Sequence, residues 1–421
     1  MNSCLHSRLL PALPLVGPGI FGVGYTIGTG AVTKLAAAGA QAGLQRLWAL
    51  LIGGLLFWAL MEASGRYVVV TGETALHGFR TRLPGGRWWA LVILAGVLSV
   101  QWTGLPVLIG LVSQLTYDGL RLLFTSAPAE NPAAVIGISA LLSGGVYGLL
   151  FAGRYSLLEK TMAVVVIAMI GGFAGAWGLV ALSPEISASG QMLPPLSAGG
   201  GAMLIVAVIG TSVAAPTFLV HPLLMKAKGW GGDKLSEQRR DAAVGALIIF
   251  ILGMVVMACA TGAFHLRGIQ VGNVFDAVNG LEQVAGRLAA GLFLLGVWGA
   301  GVSSIIPMTM ILPLLLEDYR RGELQLRTPS FRRWTALACL AGLGGPLWGE
   351  QLLTLHRTCS QIAQVVVLPL AVGGIFLLLN RADLMGGQRA GFWLNAALFA
   401  AFGFALLVAR LGLVALEKRF V

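Results

Sequence analysis

Charge is what this sequence has least of. Of its 421 residues, 11% are Asp, Glu, Lys or Arg and 57% are hydrophobic, where a soluble chain carries roughly a quarter charged residues. So little polar surface cannot cover a folded body of this length, which excludes a water-soluble protein and implies lipid as the main solvent. Acid is scarcer than base: 17 Asp and Glu stand against 28 Lys and Arg, for a net charge of +11. Nucleic-acid binders gather such an excess in soluble basic patches, whereas here it lies in loops between apolar runs, the pattern that fixes membrane topology. Nucleic acid is therefore not an expected partner. Cysteine is nearly missing. Cys4, Cys259, Cys339 and Cys359 are scattered with no Cys-x-x-Cys pair, so they read as structural thiols, not as disulfides or a metal cluster. No Gly-x-x-x-x-Gly-Lys-Ser/Thr loop and no catalytic constellation occurs, which argues against an enzyme or an ATP-driven pump and points to no cofactor.

What is present is apolar length. Runs of about 20 residues, enough to cross a bilayer core, recur about eleven times. They are placed at 15–38, 44–65, 88–115, 133–152, 158–182, 201–227, 241–264, 286–316, 333–347, 357–379 and 391–415. The ninth is short and rich in Gly and Pro. Arg8 before an apolar run looks like a signal peptide, but no small-residue cleavage site follows and the run reaches full span length, so it reads as an uncleaved first helix. With the N-terminus inside, the inner loops collect Arg66, Arg80, Arg82, Arg87, Arg154, Lys160, Lys226, Lys228, Lys234, Arg239, Arg240, Arg320, Arg321, Arg327, Arg332 and Arg333. The outer loops hold Arg46, Arg121, Arg267, Arg287 and Arg357. That bias predicts a multi-pass protein of the plasma or inner membrane with a cytoplasmic N-terminus. Lys418 and Arg419, which an odd number of helices puts outside, run against it.

Two spans are interrupted. The first loosens at Gly28-Thr29-Gly30; the sixth breaks in "GTSVAAPTFLVHP", where Pro216 donates no backbone hydrogen bond and disfavours helix before it. Broken helices persist in a membrane only where they line a cavity or are buried in protein. A matched pair of breaks five helices apart points to an inverted repeat with a binding site at mid-membrane. The competing reading is that the glycines only allow close helix packing.

Several stretches carry a resemblance. "LVGPGIFGVGY", "RYVVVTGETALHGFR", "LFLLGVWGAGVSSIIPMTM" and "SQIAQVVVLPLAVGGIFLLLNRADLMGG" resemble the first helix, the loop after helix two, the eighth helix and the tenth helix of the natural resistance-associated macrophage protein (NRAMP) divalent-metal transporters. The resemblance runs through most of the chain. It implies an all-α integral membrane protein of the LeuT type, with two inverted five-helix repeats and an extra helix: residues 1–182, 183–379 and 380–421. The metal-binding motifs depart from it. Where the family has Asp-Pro-Gly-Asn, alignment through Tyr25 and Thr33 puts Ile27-Gly28-Thr29-Gly30, so the acid falls on Ile27 and the amide on Gly30. Where it has Met-Pro-His, anchoring on Pro216 puts Ala215 and Thr217. The third run, placed at 88–115, has no carboxylate.

The expected function is therefore a secondary-active, alternating-access transporter whose substrate is a small anion or a carboxylate-bearing organic solute. A divalent-metal transporter with atypical ligation and a transporter-like receptor are the alternatives. The expected substrate site comprises Ile27, Gly28, Thr29, Gly30, Lys34, Ala214, Ala215, Pro216, Thr217 and Gln361, with no metal ligands. Free amides after a Gly-x-Gly break favour an anion, and Lys34 adds full charge one turn on, unless it snorkels to the surface. Glu62 precedes Arg66 by four residues and should pair with it along one helix face, as an anchor or a gate. His221, just before Pro222, either carries a coupling proton or caps a kink. Ser303 and Ser304 read as packing residues in the eighth span.

Overall fold

The computed structural model describes residues 17–123, 131–182, 201–321 and 327–420. Among them all regular structure is helical. The chain runs α1 (Gly19–Thr26), α2 (Thr29–Ala42), α3 (Leu47–Thr71), α4 (Ala75–Arg82), α5 (Gly86–Leu123), α6 (Pro132–Phe151), α7 (Tyr155–Ala181), α8 (Ala202–Gly210), α9 (Ala215–Ala227), α10 (Leu235–Phe264), α11 (Val274–Arg321), α12 (Pro329–Leu343), α13 (Gly345–Asn380), α14 (Ala382–Met385) and α15 (Phe392–Phe420). Cys4, Arg8 and the junction at 183–200 between the expected halves lie outside the described residues.

Among the described residues, nine helical stretches are long and apolar enough to cross a membrane, one of them joining α2 to α3. Counting α2 and α3 apart, and adding the 15-residue α12, recovers the eleven crossings read from the sequence. At 1.5 Å per residue α12 spans only about 22 Å, which is why its run was the weakest. Two crossings are each made of two half-helices, α1 with α2 and α8 with α9.

Local chemistry sets the ends. Asn131 caps α6 by accepting from the Ala134 amide at 3.0 Å, and Thr328 caps α12 by accepting from Phe331 at 3.1 Å, each filling an amide the first turn leaves open. Gly72 ends α3 in the left-handed region, φ 71°, where a side chain is strained. Within α11 the same freedom makes a kink: Gly286 at φ 81°, ψ 174° separates a short surface segment from the crossing proper.

α11 packs against α7 and α5, α13 against α5 and α15, and α10 against α2 and α3. The α7–α11 seam needs glycine. A Cβ on Gly172 would sit 2.5 Å from the backbone nitrogen of Gly296, so the two backbones touch directly, as membrane helices do where small residues meet. Cys259 and Cys339 are buried free thiols and Cys359 a half-buried one. The short α1 lies among α7, α9, α10 and α11, with seven of its eight residues buried. It is thus a plug at the end of the bundle that carries most of the arginines, called here the arginine-rich face.

Candidate functional site

The first break begins where α1 ends. Ile27 has φ −89° and ψ 59°, and Gly28 resumes in extended backbone at φ −84°, ψ 177°. Leaving the helix orphans carbonyls in the last turn of α1. One of them has donors from another helix: Ser303 and Ser304 of α11 both donate to the Gly24 oxygen, at 3.1 and 2.8 Å. The two serines therefore hold the break and are more than packing residues. The sequence signal was there, as two adjacent hydroxyls in an apolar helix, though nothing in it named their partner.

The residues of the break point in different directions. Ile27 is fully buried in the core. Thr29 is buried, its methyl beside Gly301 of α11. Gly28 lies against the Ser304 hydroxyl, 2.7 Å from where a Cβ would be. A Cβ at Gly30 would meet nothing within 4 Å, and Lys34 one turn further is exposed. Gly28 brings no side-chain cap to α2, so the first amides of α2 rely on what lies on that open side.

The second break spans residues 211–214. Thr211 and Ser212 still donate back to Ala207 and Ile209, both at 3.1 Å, before Ala214 turns extended at φ −121°, ψ 121°. Pro216 lies in the first turn of α9, where its missing N–H costs nothing, and the Thr217 amide closes on Ala214 at 3.1 Å. The hydroxyls of Ser212 and Thr217 are buried without a partner.

Between this break, the end of α1, α5 and α13 is a cavity of about 130 Å³. Ala214, Ala215 and Pro216 wall it, with Tyr25, Val97, Val100, Gly210, Val213, Ser360, Ala363, Gln364, Val367 and Leu368. Of the sequence-derived candidates it gathers only these three. Thr217 faces a tighter void of about 10 Å³ on the arginine-rich side, with Phe21, Gly22 and His221. Gln361 lies one turn of α13 from Gln364, its backbone oxygen toward Gly412 of α15 and its side-chain oxygen buried without a partner. Tyr25 and Gln364 were missed by sequence reading. The Tyr25 hydroxyl accepts from the Gln101 amide at 2.9 Å, which leaves the phenolic proton free to donate. The lining holds no carboxylate, imidazole, thiol or thioether. Among the described residues no group of three or more His, Cys, Asp and Glu could hold a metal.

The arginine-rich face is closed by ion pairs. Glu62 takes the Arg66 Nε at 3.1 Å and the Arg239 Nε at 3.3 Å, tying α3 to α10. Lys228 reaches Glu159 of α7 at 2.7 Å. Thr74 donates to the buried Asp318 at the end of α11. His221 Nε2 lies 3.2 Å from Asp241 Oδ2, and the same oxygen accepts the Gly19 amide at 2.8 Å. Asp241 has no mark of its own in the sequence, since it stands at the first position of the seventh apolar run beside two arginines. In the loop after α3, hydrogen bonds from Arg82 hold the Glu73 carboxyl below its ordinary range, against partial burial that pushes the other way.

These features have counterparts among known proteins. The chain is 25% identical over 402 residues to the divalent metal cation transporter MntH of Pectobacterium carotovorum subsp. carotovorum (strain PC1), covering 91% of this chain and 90% of that one. It is 27% identical over 323 residues, 75% of each chain, to that of Aeromonas hydrophila subsp. hydrophila. In fold it is similar to the manganese transporter of Eremococcus coleocola, with TM-score 0.68, 18% identity and coverage of 96% and 87%. It is also similar to MhsT in complex with L-phenylalanine, with TM-score 0.64, 16% identity and coverage of 96% and 98%. The eleven crossings with paired broken helices thus follow the LeuT-type plan, and the chain is a multi-pass membrane transporter by its kin. With residues 19–415 matching the model of natural resistance-associated macrophage protein-like proteins, the chain belongs to that family.

Proposed function

We propose that this family member moves a small organic solute bearing a carboxylate or another anionic group by alternating access, and does not carry a divalent metal. One observation carries the reading: the cavity between the breaks offers only backbone carbonyls, the Tyr25 and Ser360 hydroxyls and the Gln364 amide beside apolar walls. Manganese and iron are held by carboxylate, imidazole, amide, carbonyl or thioether ligands, and of these the cavity offers only neutral oxygens, with no carboxylate to offset the dehydration of a divalent ion. An apolar cavity near 150 Å³ holds a benzene-sized molecule, so about 130 Å³ suits the body of a small organic solute. Lys34 and Arg357 are exposed on α2 and α13. Lys34 lies within a crossing, where an unpaired cation is costly unless it faces water, and Arg357 stands at the start of another, so both suit an anion's approach and repel a metal ion. The fold is known to hold such solutes, since MhsT has L-phenylalanine bound. The two halves, 1–182 and 183–379, each supply one broken helix to the site, and 380–421 lies outside it.

The MntH relatives favour a rival reading, a divalent cation held by carbonyl oxygens. Thermal melting in detergent separates the two. A ligand at a hundredfold excess over its dissociation constant raises stability by about 2.7 kcal/mol. Small carboxylates are expected to shift the midpoint, and manganese, cobalt and cadmium to leave it unchanged. A metal shift of that size, lost on Tyr25→Phe, would overturn the proposal.

A further inference from the structure

We infer that Asp241 is the latch that keeps α1 shut over the arginine-rich face. The inference rests on the alternating-access reading but not on which solute is carried. α1 is a separate eight-residue unit, joined to α2 only through the non-helical Ile27–Gly28 link. It covers the end of the central cavity. Its own Phe21 and, beneath it, Thr217, Val220, His221 and Leu224 of α9 are all buried, and the space left there is only about 10 Å³. A route from the cavity to that face therefore needs α1 to part from α9 and α10.

Asp241 stands at that seam. One oxygen, Oδ2, accepts the Gly19 amide of α1 at 2.8 Å and faces His221 Nε2 of α9 at 3.2 Å. A carboxylate at a helix N-terminus gains from the free amides and the helix dipole together. The neighbouring sequence is shaped to admit it. A Cβ on Gly17 would lie 1.9 Å from Asp241 Oδ1, and one on Gly19 2.9 Å from Oδ2, so Gly17-Pro18-Gly19 is the cradle of the carboxylate. Tyr155 of α7 stands near it, with Glu159 on the same helix paired to Lys228, and Arg239, two residues before it on α10, is turned to Glu62. The Asp241 bond thus fastens the N-terminal end of α1 to α10, while Ser303 and Ser304 of α11 hold its other end at Gly24.

The latch is testable from both partners with no solute present. Two cysteine reporters, Leu224→Cys beneath α1 and Ala363→Cys in the central cavity, are placed separately in a chain whose four native cysteines are replaced. Each is labelled in nanodiscs with a water-soluble maleimide. Asp241→Asn removes the charge, and Gly19→Ala dislodges the carboxylate while leaving every charged group in place. Both are expected to raise Leu224→Cys labelling roughly tenfold or more, the scale of one charge-assisted hydrogen bond, and to slow labelling at Ala363→Cys. Unchanged labelling at Leu224→Cys in both variants would overturn the inference. So would faster labelling at both reporters, which marks general loosening. Should Asp241→Asn fail to fold, Gly19→Ala decides alone. Failure of the proposed substrate class would leave these rates untouched.

Discussion

At the scale of single residues, the breaks are held by groups that bring no charge. The Gly24 carbonyl is the clearest case, since Ser303 and Ser304 offer it two hydroxyls, each also shared with Ala300. Because one donor covers for the other, Ser303→Ala or Ser304→Ala alone should cost about 0.5–1 kcal/mol. Removing both leaves a buried carbonyl bare, and the pair should cost about 1–3 kcal/mol, more than the sum of the single effects. Melting of the two single variants and the double variant in one detergent checks this; a strictly additive pair would show that the serines only pack. Sequence reading reached these residues but assigned them to packing, because a hydroxyl's partner 280 positions away leaves no local trace. The same limit applies at position 27. The resemblance puts a metal ligand there, yet Ile27 is wholly buried and contributes only its backbone to the break.

At the scale of elements, the two interruptions were legible because Gly and Pro announce them, and the eleven apolar runs because bilayer thickness fixes their length. The kink at Gly286 and the seating of α4 were not legible. A glycine inside an apolar run has many uses, and α4 is held by partners far along the chain, such as Asp318 for Thr74. Next to α4, Glu73 binds Arg82 and accepts from the Tyr67 hydroxyl at 3.1 Å. Its carboxyl is held low chiefly by Arg82, so the folded state binds that proton less readily than the unfolded chain does. The resulting stability is fully present above the ordinary carboxylate value, near ~4.3, and is lost as pH falls through the lowered folded value. Glu73→Gln should therefore melt below the parent at neutral pH, with the gap closing in acid. A gap that stays constant down to about pH 3 would mean the carboxylate's charge has no part in seating the loop.

At the scale of the whole molecule, the net charge of +11 is spread unevenly between the two ends of the bundle. Arg66, Arg80, Arg82, Lys226, Lys228, Arg239 and Arg332 gather at the end closed by α1, whereas Arg46, Arg267 and Arg287 lie at the other. Positive loops stay on the cytoplasmic side during insertion, and anionic lipid of that leaflet then attracts them. The latch, the Glu62 clasp and the Lys228–Glu159 pair would then all belong to an inner gate. Lys418 and Arg419 argue the other way, but charges after the last helix weigh less than those of the first loops. The expected orientation follows. Asp233→Cys, between α9 and α10, should be labelled by an impermeant maleimide only after cells are opened, and Gln270→Cys, between α10 and α11, in intact cells. The reverse pattern would place α1 at the outer gate, and Asp241 would then control entry of the solute where the expected orientation has it control release.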